Sequence, residues 1–134
     1  MIIAIDGPAA TGKSTTAKAL AKRLGFTYLD TGAMYRAITL LILQKKVQIG
    51  ENFALISLLK KFDLKIQQHE KQILVILNGE DVSNEIRRLD VTKYVSEVSA
   101  LSAVRKSLVK IQRKIAKDQN CVVEGRDIGT IVFP

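Results

Sequence analysis

Residues 7–14 restrict the fold of this 134-residue chain more than any other stretch. They read Gly-Pro-Ala-Ala-Thr-Gly-Lys-Ser, which fits the pattern G-x-x-x-x-G-K-S/T. Residues 2–5 before them are an apolar run typical of a short buried parallel strand. After them comes an apolar stripe with helical spacing, formed by Ala17, Leu20, Ala21 and Leu24, and Gly25 stands where a glycine commonly ends a helix. A strand, a glycine loop and a helix in this order predict a phosphate-binding loop, because backbone N–H groups and the positive helix end face one anion.

The last residues of this loop indicate a nucleoside triphosphate with magnesium. Lys13 has the reach to contact the β- and γ-phosphates, and the hydroxyl of Ser14 suits a Mg²⁺ ion that joins the same phosphates. The residues expected to bind the triphosphate are Gly7, Pro8, Ala9, Ala10, Thr11, Gly12, Lys13, Ser14 and Thr15. The loop alone leaves open a motor, a GTPase, a nucleic-acid-dependent ATPase and a small-molecule kinase.

The flanking patterns predict an α/β fold. Residues 26–29 read as a second strand and residues 33–43 as a second helix, and this alternation is typical of a parallel sheet. Residues 102–117 read as a longer helix, and residues 121–123 as a third parallel strand. We therefore expect a three-layer fold like that of P-loop NTPases, with a parallel central sheet.

The middle of the chain predicts a small insert. Residues 63–83 read as antiparallel strands, and Asn78-Gly79 is a strong hairpin signal because a type I′ turn needs positive φ at both positions. We expect a core domain of residues 1–38 and 118–134. The insert and its connecting helices would then occupy residues 39–117.

The amino-acid composition limits the kinds of ligand and partner that we expect for this chain. The chain carries 21 Lys and Arg against 13 Asp and Glu, a net charge of +8 that suits any polyanionic ligand. Its few aromatic residues are not interleaved with basic runs, so no single-stranded nucleic acid partner is expected. No uncharged run approaches the roughly 20 residues of a membrane span, and the first residues lack a basic leader. With a single cysteine, Cys121, these features favour a cytoplasmic protein without a membrane partner.

Two strand ends indicate a second anionic ligand. Arg36 follows the second predicted strand and Arg126 follows the third. The carboxyl ends of parallel strands form the ligand crevice of an open α/β sheet, and a guanidinium holds phosphate oxygens with two parallel hydrogen bonds. Glu124 at the end of the third strand either holds a metal-bound water or pairs with an arginine.

The motifs, in their order and spacing, resemble those of bacterial cytidylate kinases, a P-loop nucleoside monophosphate kinase family. The resemblance runs along the whole chain, and its anchors are residues 5–14, 29–36, 77–83 and 124–130. It implies that ATP, with Mg²⁺, gives its γ-phosphoryl group to CMP or dCMP, which yields ADP and CDP or dCDP.

The resemblance also implies roles for individual residues. The catalytic side chains would be Lys13, Arg36 and Arg126. The residues implied to bind CMP are Thr31, Arg36, Ser96, Arg105, Arg126 and Asp127. Asp127 would accept a hydrogen bond from the exocyclic amine of cytosine, where uracil offers an acceptor instead, so we expect CMP and dCMP to be preferred over UMP.

Members of this family continue past the third strand with further strands and an arginine-bearing lid. Since the sequence stops at Pro134, we expect a C-terminally truncated kinase without the later strands and lid, whose complete form is a monomer. The first strand would then lack a neighbour on one side. The alternatives are a nucleotide-binding fragment with little turnover, a P-loop kinase for another small acceptor such as shikimate or dephospho-coenzyme A, and a nucleic-acid-binding ATPase.

Overall fold

The computed structural model describes residues 1–7, 13–69, 72–125 and 128–132. In chain order the elements are β1 (Ile2–Asp6), α1 (Lys13–Leu24), β2 (Thr27–Asp30), α2 (Thr31–Gln44), α3 (Phe53–Leu59), β3 (Leu64–His69), β4 (Gln72–Leu77), β5 (Glu80–Asp81), a 3₁₀ turn (Glu85–Arg87), α4 (Leu89–Ser99), α5 (Ser102–Ala116), β6 (Cys121–Gly125) and a π-helix (Ile128–Val132). They form two compact units, one of Met1–Gly32 with Val109–Pro134 and one of Ala33–Leu108.

A parallel sheet organises the first unit, as the alternating pattern predicts. The strand order is β1-β6-β2, with Val122 of the central strand paired to Ile3 on one side and to Tyr28 on the other. Residues 121–124 of β6 are all buried, as is typical of a parallel strand enclosed on both faces.

Helix α1 packs through small side chains. Ala17 is fully buried and Ala21 nearly so, whereas Leu24 at the end of the predicted stripe is 44% exposed. The buried part of the apolar stripe on α1 therefore ends before Leu24 and is shorter than predicted. Gly25 ends the helix with a positive φ of 69°, which confirms the expected glycine stop because this conformation is costly for other residues.

The outer edge of β1 meets the π-helix. No strand pairs with this edge within the described residues. The Asp6 carboxylate at the end of β1 instead accepts hydrogen bonds from the backbone N–H groups of Ile128 at 2.6 Å and Gly129 at 3.0 Å. An acidic side chain thus satisfies the donors that the first turn of the π-helix presents, a contact that the sequence pattern did not predict.

The second unit contains the predicted antiparallel insert. Its strand order is β3-β4-β5, and Leu64 pairs with Leu77 in the first hairpin. Asn78 and Gly79 connect β4 to β5 with φ angles of 50° and 84°, so both turn residues have the positive φ that the hairpin signal predicts.

Helix α2 supplies much of the core of this unit. Its residues 37–42 are all buried, so the second half of the helix is enclosed on every side rather than amphipathic. Helix α4 had no counterpart in the sequence-based assignment. It buries Val91 and Val98, and Tyr94 and Val95 between them are half-buried, so these four residues form an apolar stripe with helical spacing that the sequence-based assignment did not use. No helix in the described ranges is long and apolar enough to cross a bilayer.

Candidate functional site

The described part of the phosphate-binding loop consists of its two ends. Gly7 follows β1, and its N–H donates to the carbonyl of Gly125 at the end of β6, at 3.3 Å. Lys13 and Ser14 are the first residues of α1, as the motif requires, and Thr15 next to them is exposed. The intervening residues Pro8, Ala9, Ala10, Thr11 and Gly12, all expected to bind the triphosphate, lie outside the described residues.

Thr31 joins the carboxyl ends of β2 and β6. It follows directly on β2, is 3% exposed, and donates its hydroxyl hydrogen bond to the carbonyl oxygen of Glu124 at 2.8 Å. This expected acceptor-site residue therefore also ties two strand ends together. Arg126 and Asp127, which follow β6 and were expected in the same site, lie outside the described residues.

Glu124 has a tyrosine partner that sequence reasoning missed. Its carboxylate is 5% exposed and accepts a hydrogen bond from the Tyr28 hydroxyl. A buried carboxylate needs such donors, because an unpaired charge at this depth is costly. The two residues are 96 positions apart and meet because β2 and β6 pair in parallel. The sequence pattern places Tyr28 in a strand, but it does not show that the tyrosine hydroxyl pairs with Glu124.

Gly125 is required by close packing at the same edge. A Cβ atom built there would lie 2.1 Å from Thr31 Oγ1 and 2.9 Å from Ile128 Cδ1. Both neighbours are buried, so neither has space to retreat without disturbing its own contacts. The glycine that precedes Arg126 thus lets the Thr31 hydroxyl reach the strand end.

In the second unit, Arg36 is held at one end of its guanidinium group. The residue lies on α2 and is half-buried. Its Nη1 donates to the backbone oxygen of Ile86 at 3.2 Å and to Thr92 Oγ1 at 2.9 Å. Ile86 belongs to the 3₁₀ turn and Thr92 to α4, so two separate elements orient this arginine.

Ser96 and Arg105, the described residues expected to read the base, belong to the same unit. Ser96 is exposed on α4 and lies four positions, about one helical turn, after Thr92, so both residues share a face of that helix. Arg105 on α5 is exposed and lies close enough to the hydroxyl of Tyr35, the neighbour of Arg36 on α2, to influence its pKa. Burial raises the pKa of Tyr35, and the positive charge of Arg105 counteracts part of that rise.

The two residues that the sequence analysis linked to a metal, Ser14 and Glu124, carry hard oxygen ligands. No three His, Cys, Asp or Glu side chains gather into a cluster within the described ranges. The hydroxyl expected at Ser14 and the carboxylate of Glu124 are oxygen donors of the type that Mg²⁺ prefers, usually together with substrate phosphates and water. The donor chemistry therefore fits magnesium.

A parallel sheet, a glycine-rich motif after β1 and a helix that begins at the motif lysine define an α/β protein of the P-loop nucleotide-binding class. Comparison with known proteins then identifies the family. A family model described as cytidylate kinase matches residues 3–134. The chain belongs to the cytidylate kinase family.

Curated relatives agree with this assignment. The chain is 54% identical to the cytidylate kinase of Geobacillus sp. strain WCH70 over 132 residues, which cover 98% of this chain and 59% of the relative. It is 52% identical to the cytidylate kinase of Caldanaerobacter subterraneus subsp. tengcongensis, covering 98% of this chain and 57% of the relative. It is 51% identical to that of Carboxydothermus hydrogenoformans, covering 100% and 60%. The chain thus spans less than two thirds of the length of these relatives.

Proposed function

We propose that this chain is the larger part of a kinase that transfers the γ-phosphoryl group of ATP to CMP or dCMP, giving ADP and CDP or dCDP. The observation that carries the proposal is the match of residues 3–134 to the cytidylate kinase family, together with relatives of that name about half identical in sequence. The acceptor side of this enzyme would be the insert of residues 39–117, and its donor side the core around the phosphate-binding loop.

On the donor side, Lys13 and the backbone of residues 7–15 would hold the phosphates of ATP. The start of α1 at Lys13 supports this role, because free N–H groups at a helix N-terminus attract phosphate. Ser14 would hold Mg²⁺, and Glu124, whose carboxylate accepts a hydrogen bond from Tyr28, would hold a water molecule of the metal. The metal, when bound, neutralises phosphate charge.

On the acceptor side, Arg36 and Arg126 would bind the phosphate of CMP. The acceptor oxygen is already anionic, so the reaction needs no strong general base and depends on alignment and charge neutralisation. The two hydrogen bonds on Arg36 Nη1 support this role, because they fix the guanidinium plane before a ligand arrives. Thr31 would line the same site.

Base selection would rest on Ser96, Arg105 and Asp127. A carboxylate accepts from the cytosine amine, whereas a guanidinium donates to the base carbonyl or ring nitrogen. Uracil would leave the carboxylate without a donor, which is costly in a closed site. We therefore propose CMP and dCMP as acceptors in preference to UMP. The buried single thiol of Cys121 suits a reducing compartment such as the cytoplasm. We propose that the complete enzyme is a cytoplasmic monomer without nucleic acid or membrane partners.

A second candidate follows from the length comparison. Because the chain spans only 59% of the Geobacillus relative, it could bind nucleotides and turn them over slowly. This nucleotide-binding fragment and the proposed kinase would bind the same nucleotides and differ in the rate of phosphoryl transfer.

The deciding assay measures ADP release from ATP and Mg²⁺ in the presence of single acceptors. The acceptors are CMP, dCMP, UMP, shikimate and dephospho-coenzyme A, with DNA and RNA in separate reactions. Two proteins are compared, this chain and a version extended with the remaining C-terminal residues of the Geobacillus relative.

We expect CMP- and dCMP-dependent release by the extended protein, loss of that release in its Lys13→Ala variant, and slower release by this chain. Equal release with UMP would overturn the base-selection proposal. Release that depends on another acceptor, or on nucleic acid and not on CMP, would overturn the proposed function.

A further inference from the structure

Among the described residues, the contacts of Arg36 use one end of its guanidinium group and leave another edge without a partner. Nη1 carries two hydrogens, and it has two acceptors, the Ile86 carbonyl at 3.2 Å and Thr92 Oγ1 at 2.9 Å. Within the described ranges Arg36 makes no other polar contact. Its Nε and Nη2 donors therefore face no competing partner there.

The available edge is the one that binds phosphate best. Nε–H and one Nη2–H point in the same direction, so they can donate two parallel hydrogen bonds to two oxygens of one phosphate group. A guanidinium that is free to turn about its last torsions would present this edge only part of the time. Two acceptors on Nη1 remove that freedom before the ligand binds, which lowers the entropy lost on binding.

We propose that Thr92 is a positioning residue that selects CMP over its dephosphorylated form by presenting the Nε–Nη2 edge of Arg36 to the acceptor phosphate. The inference rests on the proposed function, which gives Arg36 its ligand. The Ile86 carbonyl alone leaves the second Nη1 hydrogen without a partner and lets the group rotate about one contact. Thr92 adds the shorter of the two contacts and comes from a different helix, so the pair defines an orientation.

The exposed position of Thr92 makes it suitable for mutation. Its side chain is exposed on α4, so substitutions there leave no cavity in the core. Thr92→Val removes the acceptor oxygen and keeps the branched shape, whereas Thr92→Ser keeps the oxygen and removes a methyl group. The two variants therefore separate the hydrogen bond from the packing.

The first test measures the affinity of this chain for CMP and for cytidine by isothermal titration calorimetry. For Thr92→Val we expect about fivefold weaker CMP binding and unchanged cytidine binding, since only CMP carries the phosphate. Thr92→Ser should retain the CMP affinity of the unmodified chain within about twofold. Equal loss of CMP and cytidine binding, or indistinguishable Val and Ser variants, would overturn the inference.

The second test separates this inference from the proposed function. In the extended protein, Thr92→Val should raise KM for CMP about fivefold and leave KM for ATP unchanged, and Arg36→Lys should have a larger effect on CMP. If Arg36→Lys weakens CMP and Thr92→Val does not, the positioning role is wrong and the acceptor role of Arg36 stands. If neither variant affects CMP, the proposed acceptor role fails together with the inference.

Discussion

Replacement of Gly125 by alanine tests the packing at the end of β6 directly. The new Cβ would lie 2.1 Å from Thr31 Oγ1, far inside any contact distance, and Ile128 closes the other side at 2.9 Å. The backbone of Gly125 itself does not have the positive φ that glycine favours, so the substitution acts through this clash. The Thr31 side chain must turn away, and its hydrogen bond to the Glu124 carbonyl is then lost.

The cost follows from two opposing effects. Loss of a buried hydrogen bond costs about 1–3 kcal/mol, and overpacking adds a further ~1–3 kcal/mol. The lower backbone entropy of alanine in the unfolded chain returns about 0.4–1 kcal/mol. We therefore expect Gly125→Ala to lower the free energy of unfolding by about 2–4 kcal/mol.

Urea unfolding at 25 °C, followed by far-ultraviolet circular dichroism because the chain has no tryptophan, measures this change. A double-mutant cycle identifies its cause. In a Thr31→Ala background the clashing oxygen is absent, so Gly125→Ala should cost about 2 kcal/mol less than in the unmodified chain. In a Thr31→Val background a γ-methyl group remains and the cost should persist. A change within about 0.5 kcal/mol for Gly125→Ala, or an equal cost in all three backgrounds, would refute the reasoning.

Two further predictions concern a turn and a buried thiol. Gly79→Ala should lower the free energy of unfolding by about 1–2 kcal/mol, because φ is +84° at this position. Gly50→Ala is the control, since its new Cβ meets nothing closer than 3.6 Å, and it should change the free energy of unfolding by less than about 0.5 kcal/mol. Equal costs of the two substitutions in urea titrations would contradict this prediction. Burial raises the pKa of Cys121 above its ordinary value of 9.0. As the pH rises, the thiol of Cys121 therefore loses its proton in the unfolded chain before it does so in the folded protein. Below about pH 9 the thiol should not affect the free energy of unfolding, and above about pH 9 it should lower that free energy. Cys121→Ala should lack that fall, and identical pH profiles of the two proteins would show the assignment to be wrong.

Local patterns predicted the elements that depend on neighbouring residues. The helix after the phosphate-binding motif, its stop at Gly25 and the turn at Asn78-Gly79 are confirmed, because each depends on residues within a few positions of one another. Helix α4 was missed although Val91, Tyr94, Val95 and Val98 follow one another at helical spacing, so here the local pattern was present and was not used. The expected donor loop between residues 8 and 12, and the roles of Arg126 and Asp127, remain predictions.

The amino-acid sequence by itself determined the α/β class, the phosphate-binding motif and the family. The tertiary structure decided which side chains orient the candidate site. Thr92 reaches Arg36 across 56 positions, and Tyr28 reaches Glu124 across 96. Such pairs follow from strand register and from the placement of helices on a common core, and hydrophobic periodicity specifies which face of an element is buried without specifying what lies against it. For that reason the sequence identified Arg36 as a candidate, and only the folded chain showed that Ile86 and Thr92 hold the Nη1 end of its guanidinium.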